Sequence, residues 1–414
     1  MFSQLKKINR EDIATFGIVV IMVSLLLSRF VLSIGMIILI LNALLFSPSL
    51  RNDFNKFIAD KNFAVITSLF FICLLSGIFS NDFSYFSERM RIKLPFLLLP
   101  FAFSVLKPFS EKRFYLLLLF YLFTITVASI GVMVNYFLHY EIFTDLYKKA
   151  HVMPTPIGHI HFSLMVAFAI LVGTHLFLEK KYFKFPFERI AILVFTLFLI
   201  IFIHLLAVRS GLVAFYISLC GYILWKGFSE KKIMLSLLIL FTFFSISYLA
   251  YKYIPTLNNK IHYALYDLEM YKSGAEPSGF SDGGRFYSYK VGWEIAKKNL
   301  LFGVGYGNLQ NEINKTYETL YPQINAERRL FPHNQFLFFF SAMGIVGLLY
   351  LIFVFLFPIL YRQQFRNILF LCFHLIILTA FMVESYIEDQ IGTAFYLLFL
   401  LLLLNQTRSK QLPA

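Results

Sequence analysis

Three residues in this chain have the type and setting to do chemistry, and each stands where a helix is expected to begin. His333 lies in Phe331-Pro-His-Asn-Gln-Phe336, at the mouth of the apolar run 335–358. The positive end of a helix starting there favours a neutral imidazole, which can take a proton as a general base. Arg285 follows Gly283 and Gly284, with Ser281 or Asp282 placed to cap a helix running to about Asn299. A cation is electrostatically misplaced in a first turn unless an anion binds there. Free N–H groups and a guanidinium fork then make a phosphate site. Arg209 lies in His204-Leu-Leu-Ala-Val-Arg-Ser-Gly211, between two apolar runs joined almost without a loop. An ionisable group at such a depth marks a functional site by default. Each also has a plain alternative: a solvated Arg285, an Arg209 snorkelling to headgroups, and a His333 that only hydrogen-bonds at an interface.

Asn334, Arg91, His161 and Glu384 are the further polar groups expected to touch substrate. His159 and His161 (Gly-His-Ile-His) have the look of metal ligands, but no third ligand is placed by spacing, so neither a metal nor a cofactor is expected. Glu388, Asp389 and Gln390 can hydrogen-bond a sugar or form an ordinary exposed connection. No Asp-x-Asp is present for a metal-bound sugar nucleotide, and Asp267-x-Glu269 is a poor substitute. The run Gly303-Val-Gly-Tyr-Gly307 neither follows a strand nor opens a helix of a βαβ unit, so it is a weak phosphate-loop signal. It reads instead as a turn with positive φ that ends the preceding helix. On that helix Phe286, Tyr289, Trp293 and Ala296 share a face suited to a membrane interface.

The elements that must position these groups are apolar. Over 414 residues the chain is 59% hydrophobic and 14% charged, with mean hydropathy +0.71, which excludes a soluble domain of this length. Spans are expected at roughly 13–29, 30–47, 62–80, 92–106, 114–137, 158–178, 188–206, 208–226, 232–250, 335–358, 367–383 and 391–405. The fold class is thus an all-α integral membrane protein of about twelve transmembrane helices, with a large outer loop between spans 9 and 10. Three regions follow: a bundle over 1–250, a loop with amphipathic helices over 251–334, and spans with a tail over 335–414. With the N-terminus inside, 20 Lys and Arg fall in inside segments and 7 in short outside ones, Arg89, Arg91 and Lys93 among them. That asymmetry puts both termini in the cytoplasm and the loop outside. It also accounts for much of the net charge of +14, so no nucleic-acid partner is needed. No cleavage-type site follows the charged start, and Cys73, Cys220 and Cys372 lie in apolar runs, against a disulfide framework.

One order of motifs stands out. Arg209-Ser210 opens a span, Gly283-Gly-Arg285 precedes an amphipathic helix with Trp293, Gly303 to Gly307 follows, then His333-Asn-Gln-Phe-Leu337, then Gly344-Ile-Val-Gly-Leu348. This resembles the O-antigen ligase and polymerase superfamily, most strongly over about 200–350, and most the ligases; Arg-Ser stands here in place of the more usual Ser-Arg. The resemblance implies a metal-independent inverting glycosyltransferase in the bacterial inner membrane. Its donor would be an undecaprenyl-diphosphate-linked glycan, and for a ligase the acceptor would be lipid A-core on the periplasmic side. It also implies that Arg209 and Arg285 hold the diphosphate and that His333 activates the acceptor hydroxyl. A polymerase, a protein O-oligosaccharyltransferase and a lipid-linked glycan transporter or flippase are the alternatives. A transporter calls for inverted repeats and midplane charges, whereas the charges here stand at the outer ends of the runs.

Overall fold

The computed structural model describes residues 9–143, 152–180, 185–253 and 283–409, with the single positions 262, 266 and 269. Helices α1 (Arg10–Leu27) and α2 (Arg29–Leu45) form a hairpin that turns at Ser28. There the Ser28 N–H closes α1 on Ser24 and its hydroxyl accepts from Val31 N to open α2. The chain bends by 115° into the short amphipathic α3 (Leu50–Ala59). Then come α4 (Lys61–Leu75), α5 (Phe83–Ser104), α6 (Glu111–Leu138), α7 (His159–Glu179), α8 (Pro186–Leu206), α9 (Arg209–Ser229) and α10 (Ile233–Tyr253). The series ends with α11 (Gly283–Lys298), α12 (Leu309–Leu320), α13 (Gln335–Leu360), α14 (Ile368–Val383) and α15 (Gln390–Ser409). The described residues contain no strand.

This is a polytopic membrane architecture. Seven described helices are long and apolar enough to cross a bilayer, or eight if α2 and α3 count as one broken span. The lower number than the sequence suggests has physical causes. Helix α1 opens on Arg10, Glu11 and Asp12, α5 carries Glu88, Arg89, Arg91 and Lys93, and α14 has only 16 residues. Helices α7 and α15 fill the middle: 78% and 94% of their apolar stretches are buried, as expected of helices apolar on every side.

Two expectations change in detail. The short span at 92–106 is part of a longer helix from Phe83 that runs through Pro95 and Pro100, capped by Asp82 accepting from Tyr85 N. Arg89, Arg91 and Lys93 are therefore helical, and Lys93 is fully buried rather than a charge on an outer connection. On α11 the packed face is Tyr287, Val291, Ile295 and Ala296, while Trp293 is half exposed and its ring meets Phe340 at 5.9 Å.

The glycine turn has a structural role. Helix α13 is broken at Gly344, whose φ of 63° and ψ of −163° belong essentially to glycine. The break frees backbone groups that an apolar surrounding cannot satisfy. Segment 300–305 takes them up. Val304 N and Gly305 N donate to Ser341 O (3.2 Å) and Ala342 O (2.9 Å), and Ile345 N donates to Leu300 O (2.7 Å). A Cβ on Gly344 would stand 2.3 Å from the Leu301 carbonyl, and one on Gly303 would stand 2.4 Å from Ala342 C. Beyond it, Gly307 N donates to Ser80 Oγ (2.9 Å) and the Asn308 amide to Phe79 O (2.6 Å). Helices α11 and α12 are thereby bolted to α13 and to the α4–α5 connection.

Candidate active site

One end of the bundle holds the N-termini of α2, α5, α7, α9, α13 and α15, interleaved with the C-termini of α1, α4, α8 and α14. The other end is held by Arg10–Asp53 (3.5 Å), Arg113–Asp12 (2.8 Å) and Arg408–Asp60 (3.3 Å). Each helix start at the first end favours an anion locally, through its first-turn N–H groups.

The backbone around His333 is pinned from two sides. The Tyr289 hydroxyl donates to His333 O (3.1 Å) and His333 N donates to Ser288 Oγ (3.4 Å), both from α11. Asn334 caps α13 by accepting from Leu337 N (2.9 Å), while its amide donates to Met382 O (3.1 Å) in the last turn of α14. These ties bring His333 Nδ1 to 2.9 Å from Oε1 of Glu384, the residue that closes α14. Their side chains are 21% and 15% exposed, so the contact is sheltered yet reachable. The ring N–H is not aligned along it, a common condition of catalytic pairs away from the transition state.

Burial pushes the Glu384 carboxyl up, but the His333 contact and charge, then Arg285 and His161, outweigh it and hold the group below its ordinary value. Arg285 stands in the first turn of α11, one turn ahead of Ser288 and Tyr289, so the helix that clamps His333 also presents the arginine.

A second histidine–carboxylate pair lies nearby. His161 Nε2 is 3.7 Å from Asp389 Oδ2, and its ring stacks on Tyr386 with centroids 4.9 Å apart. Asp389 Oδ1 meets Arg29 at 3.0 Å. Beneath these pairs is a buried ionic knot. Glu388 Oε1 accepts from Lys93 Nζ (2.7 Å), Tyr306 OH (2.7 Å) and Gln335 Nε2 (2.9 Å). Gln335 Oε1 in turn accepts from Ile387 N (2.9 Å). Arg89 lies over the Tyr85 and Phe331 rings at 4.7 and 5.3 Å and reaches Glu388 O (3.4 Å). A carboxylate held this way braces the turn, and at 6% exposed Glu388 is not the ordinary exposed connection that was one of its two readings.

Of the residues singled out in the sequence, His333, Asn334, Glu384, Arg285 and His161 come together. Arg209 begins α9 at the same end, half-buried, because Gly211 packs directly on Ser163 of α7. Arg91 is exposed on α5 at the same end, where it lines a pocket of about 490 Å³ with Ser33, Glu88 and Gln390. Lys93, Tyr306, Gln335, Ser288 and Tyr289 were not anticipated. Lys93 is the last of four charged residues, Glu88, Arg89, Arg91 and Lys93, before the apolar part of α5, so it reads from sequence as an end-of-span charge rather than a buried one.

Residues 192–352 match the family model described as O-antigen ligase. That match supports the O-antigen ligase superfamily. The matched region holds Arg209, Arg285, His333 and the broken helix at Gly344, while Glu384 and the 386–390 turn lie beyond it. No curated protein matches the chain.

Proposed function

We propose that the chain is an O-antigen ligase, moving a glycan from undecaprenyl diphosphate to lipid A-core at the periplasmic face of the bacterial inner membrane. The coarser function, that of an O-antigen ligase or polymerase type of glycosyltransferase, has the support of the family match. The observation that carries the reading is the meeting of His333, Glu384 and Arg285 at one end of the bundle, with Arg209 at the same end.

In this mechanism the acceptor hydroxyl oxygen attacks the anomeric carbon from the face opposite the diphosphate. The new C–O bond forms, the bond from carbon to the diphosphate oxygen breaks, and the configuration inverts. His333 Nε2 takes the hydroxyl proton. Arg285 and Arg209 match the charge growing on the departing polyprenyl diphosphate without reorganising, which is what electrostatic preorganisation supplies. No metal enters the scheme, since guanidinium groups do the work a divalent ion would do.

The test is lipopolysaccharide gel analysis of a deletion strain complemented with the wild type or with His333→Ala. Polymer of full length left on the lipid carrier, in both the deletion and the His333→Ala strain, is the expected result. Core capped with single repeats would identify a polymerase instead, and normal lipopolysaccharide in the deletion would exclude both.

A further inference from the structure

We propose that Glu384 is the positioning residue of His333: its carboxylate holds Nδ1 as the protonated nitrogen and leaves the Nε2 lone pair for the acceptor hydroxyl. The inference rests on the reading of His333 as the base and adds the group that makes the base work.

The 384–389 turn carries three carboxylates, and each has its own partner. Glu388 is taken by Lys93, and Asp389 by Arg29 with His161. Glu384 alone faces His333, at 2.9 Å. Both partners are fixed by backbone. Glu384 N closes α14 on Ala380 O (2.9 Å), and Ser385 N donates to Glu384 Oε1 (3.2 Å). His333 is held by Ser288 and Tyr289, so ring rotation is the freedom left to it. That rotation is what brings the N–H onto the carboxylate, and it selects one tautomer.

Charge supports the same assignment. A histidine at the start of α13 meets the positive end of the helix dipole, which opposes the imidazolium that must form when it takes a proton. A carboxylate on Nδ1 offsets that penalty, the part an aspartate plays in a serine hydrolase triad. The groups facing Glu384 are His333 ahead of α13, Arg285 and Tyr289 on α11, and His161 on α7. The hydrogen-bonding His333 and the Arg285 charge hold the carboxyl below its ordinary value, so it is ionised at neutral pH.

The experiment uses full-length protein in nanodiscs, with an undecaprenyl-diphosphate-linked glycan as donor and lipid A-core as acceptor. Glu384→Gln and Glu384→Ala should lower kcat by roughly 10²–10⁴-fold with KM for both substrates little changed, as for the orienting acid of a triad. The acid limb of the Glu384→Gln pH profile should move to lower pH, because an imidazolium without its carboxylate loses its proton more readily. Nitrogen-15 spectra of histidine-labelled protein, with the His333 signal assigned by its loss in His333→Gln, should show the Nδ1–H tautomer in the wild type and its loss in Glu384→Ala. An unmoved acid limb, or the same tautomer in Glu384→Ala, overturns the positioning role. Wild-type transfer by His333→Ala would instead sink the base assignment, and the tautomer measurement would still report on Glu384 alone.

Discussion

Replacing Lys93 by Met tests whether the buried knot under the site is ionic in the way its geometry says. The Lys93 side chain is fully buried and that of Glu388 is 5% exposed, and their contact is 2.7 Å. Met keeps most of the stem, so lost packing costs less than about 1.5 kcal/mol. The greater cost comes from the carboxylate left behind, with Tyr306 and Gln335 as its remaining side-chain donors and its other oxygen, Oε2, already without a partner. An uncompensated buried charge costs about 3–5 kcal/mol, a third or more of the stability of many folded domains. Adding Glu388→Gln removes that charge while keeping an acceptor for both remaining donors. The double variant should therefore be more stable than Lys93→Met, recovering roughly 2 kcal/mol or more. Denaturant unfolding in mild detergent, followed by the fluorescence of Trp225 and Trp293, measures all four corners of the cycle. If Lys93→Met costs less than about 1 kcal/mol, or the two changes simply add, the ion pair is not what holds the turn. Because Gln335 links Glu388 to the start of α13, the single variant should also lose transfer activity faster than it loses fold.

Two further outcomes follow from named contacts. Gly344→Ala should destabilise the protein by roughly 2–5 kcal/mol, since a forbidden φ adds to a Cβ held 2.3 Å from immovable backbone; thermal melts in detergent against Gly131→Ala, where the added Cβ meets nothing within 4 Å, give the comparison. Arg285→Lys should keep abundance but retain under about a tenth of the transfer rate in the nanodisc assay, because an ammonium cannot form a planar two-pronged phosphate contact; a wild-type rate would mean that charge alone suffices.

The helical membrane character was legible because it rests on composition, and Arg209 and His333 stand out as polar groups at the ends of apolar runs, with Arg285 in the first turn of a helix in the polar loop. The site's members were legible as candidates for the same reason. Their pairing was not. Glu384 and His333 are 51 residues apart, and what joins them is the register between α13 and α14, set by Asn334 reaching Met382 and by Gln335 reaching Ile387. The glycine turn was rightly read as a positive-φ turn, but its purpose was hidden. A helix that breaks at Gly344 leaves no hydropathy signal, since the residues on both sides remain apolar. The face of α11 that packs is set by Gly292, where an added Cβ would meet Pro332 and Leu337, a close approach that aromatic spacing does not reveal.

On the proposed function, charge explains why the chemistry would lie between helix ends rather than inside a helix. A diphosphate needs fixed positive charge, which Arg209, Arg285 and the first turns of their helices would supply at a bundle's rim with little desolvation. The 384–389 turn places three carboxylates there and gives each its own partner: Lys93 for Glu388, Arg29 for Asp389 and His333 for Glu384. Two of the three pairs fasten the turn to α5 and α2. The third is then free of bracing duty, and it is the one that meets His333.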